Sequence, residues 1–391
     1  MIRYLPIGVR LVLTTLCVGL GGTASVAAEP PADAALTKKV TDWAQRLEDR
    51  IDQQADPKAF AEAMDAAKFA DRISQGLSLP PEIRQGLLSP KLAASLSQKI
   101  AQNVESGGSY RLLRIHQVNQ EPRALFRMLG EGGVNYHDLH LIVDAHGHVR
   151  IVDVDVYITG EALSQTMRRS LVPVLGLRNQ TFAAKALGIQ DEYSKHLPQV
   201  VKVTAAARKG EHAEALALYR ELPPALQKHQ GLMMIAINAS QQVDEEAYLK
   251  LLQAYCKEFP QSSGDLILLD VLHAKRKFDE LLQAVDRLDR KLGGDAYLHT
   301  FRGAAHMEKK DFPAARRAFE ACIRGEPKLA DAYWGYITLE LQQKNFTKVT
   351  ELLTAVQTKA GVELEDLTKA EEYADFVKSP EGKAWLKKQA R

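Results

Sequence analysis

The second half of the chain repeats its pattern of apolar and polar positions. Phe278, Phe312 and Phe346 each follow a short polar turn and begin a segment whose apolar residues recur at helical spacing. Each of these phenylalanines lies 34 residues after the one before it. A period of that length accommodates two helices and the turn between them. The pattern therefore predicts a series of helix-turn-helix units, because a single pair can bury its apolar face only against a neighbour.

The clearest unit spans 296–327. It has small or aromatic residues where two helices approach each other and a proline at its end, namely Gly303, Phe312, Ala315, Phe319, Cys322 and Pro327. This combination resembles the tetratricopeptide repeat family. The unit departs from the family pattern at His299, Arg302 and His306, where the family usually has Trp, Leu and Tyr. The resemblance implies an α-α superhelix, or solenoid, whose concave wall binds a protein or peptide.

Units of this kind are predicted over 196–362, followed by a C-terminal cap over 363–391. In the cap, apolar residues at helical spacing predict an amphipathic helix over 364–377. A last helix is predicted after Ser379 and Pro380, because serine is a good N-cap and proline fits the first turn. The predicted fold class is mostly α, with a solenoid preceded by a smaller α+β domain.

The register of the repeats identifies side chains that the family resemblance places on the concave wall. These candidate groove residues are Leu266, Asp270, His273, Tyr297, Thr300, Met307, Trp334, Thr338 and Leu341. Tyr297 and Trp334 are suited to anchoring a partner, or alternatively to closing the core between helices. Family members that clamp a C-terminal carboxylate use Lys, Asn and Arg along this wall, and those residue types do not occur at these positions.

The region 35–175 is predicted to be an α+β domain, and 176–195 a linker. Helices are expected over 40–51, from Pro57 through Phe60, Met64 and Ala67, after Ser89-Pro90, and over 160–175. Between them, alternating apolar residues predict a four-stranded antiparallel sheet made of two hairpins, 110–129 and 134–158. Helices followed by a meander resemble the cone-shaped fold of nuclear transport factor-like domains, and we expect such a domain to dock on a partner or to form a homodimer.

One face of the second hairpin carries acidic and histidine side chains. If Leu139 pairs with Val152, Asp138 lies opposite Asp153, and His140 and Asp155 share their face. Facing carboxylates repel each other unless they are solvated, share a proton or hold a cation. Two interpretations follow: an outer face in contact with water, or a ligand site with His140 as general base. The spacing of His, Cys, Asp and Glu matches no metal-binding motif.

The first 28 residues have the pattern of a signal peptide. Arg3 and Arg10 precede an apolar run, and the small residues up to Ala28 predict cleavage before Glu29. The protein is therefore predicted to be secreted or periplasmic, with no stable membrane insertion after cleavage. The full chain has 51 Lys and Arg against 49 Asp and Glu, and cleavage removes two of the arginines. Such a balanced chain has no electrostatic attraction for nucleic acid or anionic lipid.

The sequence lacks the nucleophile-elbow, phosphate-loop and dinucleotide-binding motifs. No cofactor is expected. Together with the repeat, this favours a non-enzymatic exported adaptor or scaffold in an envelope or secretory assembly. The alternative is a small-ligand-binding protein or hydrolase that uses the α+β domain. A third interpretation is a spacer whose repeats only set a distance.

Overall fold

The computed structural model of the protein describes residues 34–75, 79, 81–130, 133–168, 195–259 and 264–389. The described chain is mostly helical, with an antiparallel sheet in its N-terminal part. The predicted signal peptide lies outside the described residues, as does the predicted linker 176–195 apart from Lys195. Contacts divide the chain into two compact units at Ile267 and Leu268. In the part of the chain that the structure describes, no helix is long and apolar enough to cross a membrane.

Among the residues described before the sheet there are five helices: α1 (Ala34–Glu48), which continues as a π-helical turn (Asp49–Gln53), α2 (Ala59–Ala63), α3 (Ala66–Ser74), α4 (Pro81–Leu87) and α5 (Pro90–Glu105). The single helix expected after Pro57 is two helices, α2 and α3. The backbone N–H of Asp65 donates to the carbonyl of Ile151 at 2.8 Å, while the Asp65 carboxylate accepts from the N–H of Lys68 at 2.9 Å. Asp65 therefore ties the chain to the sheet and caps α3. The start of α5 after Ser89 is confirmed.

The sheet contains β1 (Ser109–Val118), β2 (Glu121–Gly130), β3 (Gly133–Val143), β4 (Val149–Val156) and β5 (Glu161–Ala162), in that spatial order and all antiparallel. The four long strands and their antiparallel order are confirmed, whereas the two-residue β5 was not expected. The first hairpin turns at Asn119 and Gln120, which have φ angles of 52° and 66°. Two left-handed residues form the turn whose twist suits adjacent antiparallel strands. A helical segment follows at 163–168.

The predicted register of β3 and β4 is wrong. Leu139 pairs with Val154, and Asp138 therefore lies opposite Asp155 rather than Asp153. Two features produce the shift. The hairpin closes with Val143 opposite Val149, and the ladder is irregular at Val152, an extra residue between the partners of His140 and Leu141.

The apolar face of the sheet packs against the preceding helices and forms the core of this region. Its strand residues include Ala124, Phe126, Leu139, Leu141, Ile151 and Val154, and its helix residues include Val40, Leu47, Phe60, Ile73 and Ile100. All of these are buried. Burial of one large aliphatic or aromatic side chain contributes about 1.5–3 kcal/mol. This packing therefore holds the helices to one side of the sheet and leaves the polar residues on the other.

The unit that contains the sheet also contains the first helix pairs. These are α6 (Leu197–Lys209) with α7 (His212–Arg220), and α9 (Gln230–Val243) with α10 (Glu245–Glu258), separated by the short α8 (Pro224–Gln227). The Tyr255 hydroxyl donates to the carbonyl of Thr159, just after β4, at 3.4 Å. It accepts from Gln230 Nε2 at 2.9 Å. The boundary between the two units lies within the next helix, α11 (Gly264–Ala274).

The second unit continues with α12 (Phe278–Leu292), α13 (Leu298–Glu308), α14 (Phe312–Gly325), α15 (Ala330–Gln342), α16 (Phe346–Ala360), α17 (Ala374–Lys378) and α18 (Pro380–Gln389). The continuous helix expected over 364–377 is wrong. Ala370 is extended (φ −102°, ψ 118°) and separates two short 3-10 turns that precede α17. The start of the last helix is confirmed, because Ser379 Oγ accepts from the N–H of Gly382 at 3.0 Å.

The 34-residue recurrence is confirmed as a recurrence of backbone geometry. Arg276, Lys310 and Lys344 have left-handed φ angles of 54°, 60° and 53°. In each case the residue that follows donates its N–H to a carbonyl five residues earlier, which closes the first helix of the pair. The phenylalanine that begins the second helix comes two residues after the left-handed one. The same helix-turn-helix junction is thus built three times.

Packing around Phe319 links consecutive pairs in this unit. A Cβ atom added to Gly303 of α13 or to Gly335 of α15 would lie 2.5 Å from Cε1 of Phe319 in α14. Such a distance is too short for any side chain, so both positions require glycine unless the ring moves. The ring of one second helix therefore lies against the first helices of two successive pairs.

Candidate functional site

The face of the sheet opposite the apolar core carries the four residues of the predicted ligand site. Asp138 and His140 on β3 are each 6% exposed, and Asp153 on β4 is 2% exposed. The interpretation of this face as a water-exposed surface is therefore wrong. The fourth residue, Asp155, is more open, because 39% of its side chain is exposed. Burial of acidic and histidine side chains requires partners that compensate their lost hydration.

His140 lies between a guanidinium and a carboxylate. Its Nδ1 is 2.8 Å from Nη1 of Arg72, on α3, and its Nε2 is 2.9 Å from Oδ1 of Asp155. A guanidinium can only donate, so Nδ1 must be the unprotonated acceptor and Nε2 must carry the hydrogen. Nδ1 is therefore hydrogen-bonded, whereas Nε2 lies within ion-pair distance of Asp155 without an aligned hydrogen bond. His140 has no free acceptor nitrogen with which to act as the general base that the sequence suggested.

Asp155 is stabilised as a carboxylate. Arg123, on β2, donates from Nη1 to its Oδ2 at 3.0 Å, and His140 lies against Oδ1. Burial alone would raise the pKa of Asp155, but the nearby His140 and the hydrogen bond and positive charge of Arg123 outweigh it, so the pKa lies below its ordinary value. Both oxygens of this carboxylate have protein partners.

Asp153 has a structural role. Its Oδ1 accepts from the backbone N–H groups of Val154 at 2.9 Å and of Ser164 at 3.0 Å. The Ser164 hydroxyl donates to Oδ2 at 2.5 Å, and Nη1 of Arg72 lies 3.9 Å from the same oxygen. Asp153 therefore holds the beginning of the helical segment at 163–168 against β4. Neither of its oxygens is left for a ligand.

Asp138 differs from Asp153 and Asp155 because one of its carboxylate oxygens has no hydrogen-bond partner. Its Oδ2 lies 3.2 Å from Nε2 of His116, on β1, whereas its buried Oδ1 has no hydrogen-bond partner, and neither does the buried Nδ1 of His116. The sequence analysis did not select His116. A signal for it existed, because the turn at Asn119 and Gln120 sets His116 opposite Arg123 and hence on the same face as His140. Arg72 had no such signal, since only tertiary packing brings α3 to the sheet.

A second buried histidine lies on the core face. His137 Nδ1 is 3.2 Å from the hydroxyl of Tyr110, and its Nε2 is 3.3 Å from Nδ2 of Asn135. Burial lowers the pKa of His137 to about 4 and raises that of Tyr110 above its ordinary value. Both side chains are neutral at physiological pH and serve the packing of the core. Within the described ranges, no group of three or more His, Cys, Asp and Glu side chains is arranged to hold a metal ion.

The candidate groove residues divide into buried and half-exposed sets. Leu266, Tyr297 and Thr300 are buried within the chain, which corrects the expectation that they face a partner. Tyr297 instead packs edge-on against Phe301, with ring centroids 5.7 Å apart, and its role is to close the core. The half-exposed set comprises Asp270, His273, Met307, Trp334, Thr338 and Leu341.

Among the half-exposed residues, Trp334, Thr338 and Leu341 occur at helical spacing on α15 and share one side of it. The Thr338 hydroxyl donates to the carbonyl of Trp334 at 2.9 Å. Met307, Trp334 and Leu341 pack against the apolar core of the second unit while remaining partly open. The first helices thus present apolar surface next to their own core.

Comparison with known proteins does not add a family or an activity. The sequence matches no protein-family model, and it has no significant similarity to a curated protein.

Proposed function

We propose that this protein is a non-enzymatic exported adaptor whose helix pairs stack as a tetratricopeptide-type solenoid and bind a protein or peptide. The observation that carries the proposal is the junction repeated at Arg276, Lys310 and Lys344, with identical hydrogen bonding and a phenylalanine two residues later. Helix pairs of constant design that contact mainly their neighbours are typical of solenoids, and solenoids present extended binding surfaces.

The contacts of the second unit support this arrangement. Each helix from α12 to α15 packs against the next one, and α13 also contacts α15, the first helix of the following pair. Gly303 and Gly335 allow that approach by admitting Phe319. In the proposed solenoid, the contact between α13 and α15 would recur along the chain, and the first helices would form the wall that the family resemblance assigns to a partner.

The chemistry of this wall favours an apolar anchor. Met307, Trp334 and Leu341 contribute apolar surface that is already ordered by the core. Aromatic residues and methionine are enriched in protein interfaces, where they bury a large apolar area. The balanced charge of the chain supplies no long-range attraction. We therefore propose a partner segment that is recognised by an apolar side chain rather than by charge.

Site-specific photo-crosslinking in the natural source cells tests the proposal. A benzoylphenylalanine in place of Trp334 keeps an aromatic ring on the wall, and the same residue in place of Glu351, which is exposed on α16, is the matched control. We expect a protein adduct from position 334 and none from position 351. The additional change Thr338→Arg should reduce the adduct at least tenfold, because it places a charge beside the anchor.

Two outcomes contradict the adaptor function. One is the absence of any protein adduct at position 334 in folded, exported protein. The other is the same set of adducts from positions 334 and 351, which would indicate random collision rather than a binding surface.

A further inference from the structure

The two sides of the sheet carry main-chain groups that bond to something other than a long strand. Beside β4, the connection between α2 and α3 runs along the strand, and Asp65 donates its N–H to the carbonyl of Ile151. On the other side, β1 is the outermost strand of the described sheet. There the N–H of Tyr110 donates to Oδ1 of Asp52 at 2.8 Å. A carboxylate thus takes the place in which a neighbouring strand would put a carbonyl.

The carboxylate of Glu48 makes the equivalent contact one step further along β1. It accepts from the backbone N–H of Leu112, which points to the same side as that of Tyr110 because the two residues are two positions apart in the strand. Two strand residues span about 6.8 Å, and the four helix residues from Glu48 to Asp52 span about 6 Å. The two acids share one side of α1 and its π-helical turn, so they match two successive outward N–H groups of the strand.

A bulge follows these two contacts directly. The pairing of β1 with β2 shifts between Leu112 and Arg114, which makes Leu113 an extra residue in the strand. A bulge bends the strand that carries it. Bulges, charged side chains and coverage by other elements are the means by which proteins prevent edge strands from pairing with other molecules. The acids and the bulge therefore act on neighbouring positions of the same edge.

We infer that Glu48 and Asp52 form a seal, a substitute for a neighbouring strand, which prevents β1 from pairing with β1 of a second copy of the chain. Without the seal, Tyr110 and Leu112 would offer two N–H groups at strand spacing. A second copy supplies a matching segment, because antiparallel pairing about a two-fold axis lets the same strand both donate and accept. The seal is independent of the adaptor function proposed above, which uses the helix pairs.

The full chain with the double change Glu48→Ala/Asp52→Ala tests the inference by analytical ultracentrifugation and hydrogen exchange. Alanine removes both acceptors, so we expect the apparent mass to rise with protein concentration, to about twice that of the wild type. At low concentration, the peptide that contains Tyr110 and Leu112 should exchange its amide hydrogens about tenfold faster than in the wild type. A cooperative urea transition checks that the variant is folded.

Two control variants separate the seal from other effects of the substitutions. Glu48→Gln/Asp52→Asn keeps an acceptor oxygen on each side chain and should behave as the wild type in both measurements. Asp49→Ala, at an exposed position of the same turn, should do so too. The inference is overturned if the folded double alanine variant keeps the wild-type mass at every concentration, or if the amide variant associates as strongly. If the double alanine variant does not fold, Asp52→Ala alone, which frees the N–H of Tyr110, decides the question by the same two measurements.

Discussion

The sheet and the helical unit that begins at Leu268 bury ionisable groups in different ways. On the sheet, Arg72, Arg123, His140 and Asp155 form a network that joins α3 to the three strands β2, β3 and β4. In the helical unit, Glu340 is fully buried but is satisfied by neighbouring helices alone. The sheet network joins residues as far as 68 positions apart in sequence, whereas the side-chain partners of Glu340 lie within 24 positions of it.

The two regions also differ in which features of the sequence specify them. Helix pairs need only the correct residues within one or two periods, so a fixed spacing in the sequence specifies them. A polar network on a sheet is specified by strand register and by which side chain a distant helix delivers. The first is suited to a surface that can vary in partner, and the second to a site of defined chemistry.

The largest expected effect is a loss of stability when the cation that compensates Glu340 is removed. Arg316 on α14 donates from Nε to Oε1 at 2.5 Å and from Nη2 to Oε2 at 3.2 Å. The change Arg316→Leu leaves a buried carboxylate with only Asn345 as a partner and should lower the free energy of unfolding by about 3–5 kcal/mol. Urea unfolding of the full chain measures it.

The double variant Arg316→Leu/Glu340→Gln tests the cause. If the cost comes from the uncompensated charge, removing that charge should restore most of the stability. Equal losses in the single and double variants would show that packing of the arginine stem, rather than charge, was responsible. Glu351→Gln, at an exposed position of α16, is the control and should change stability little.

The second largest expected effect is a loss of stability at low pH, caused by His137 in the sheet. His137 has a pKa of about 4 in the folded chain, against about 6.5 when unfolded. The unfolded state therefore binds a proton first as the pH falls, and stability decreases between pH 6.5 and pH 4. Integrated over that range, the loss is at most about 3 kcal/mol.

The variant His137→Gln should keep a hydrogen bond to Tyr110 but cannot titrate in this range. We expect the wild type to lose about 3 kcal/mol more than this variant between pH 7 and pH 4 in urea unfolding. The variant His148→Gln, at an exposed position just before β4 of the same sheet, is the matched control for the substitution itself. Parallel curves for the wild type and His137→Gln would mean that His137 takes up its proton at the same pH in the folded and the unfolded chain, which contradicts the lowered pKa.

The difference between local and tertiary specification also explains which features the sequence could predict. The period marked by Phe278, Phe312 and Phe346 correctly located three helix junctions, and alternation correctly located the four long strands. The register of β3 and β4 was missed because the bulge at Val152 leaves no mark in the apolar pattern. Burial of the polar face was missed for a related reason, since alternation shows only that two faces differ and not that one of them meets water. The role of Arg72 depended on tertiary packing alone.

The smallest effect tests whether the repeated junction is encoded locally. Lys310 has a left-handed φ of 60°, which costs a residue with a Cβ about 1–2 kcal/mol. The change Lys310→Gly removes that strain, although glycine also gives the unfolded chain more freedom. We expect a net stabilisation of about 0.5–1 kcal/mol in urea unfolding.

The control for this prediction is Arg317→Gly, at an exposed position inside α14, which should destabilise by about 1 kcal/mol. Opposite signs for two cation-to-glycine changes in one helix pair can arise only from the backbone conformation at each site. If Lys310→Gly also destabilises, the left-handed residue is held by contacts of its side chain. In that case the junction would depend on its tertiary surroundings, as the polar face of the sheet does. The helix pairs would then not be specified by local sequence alone.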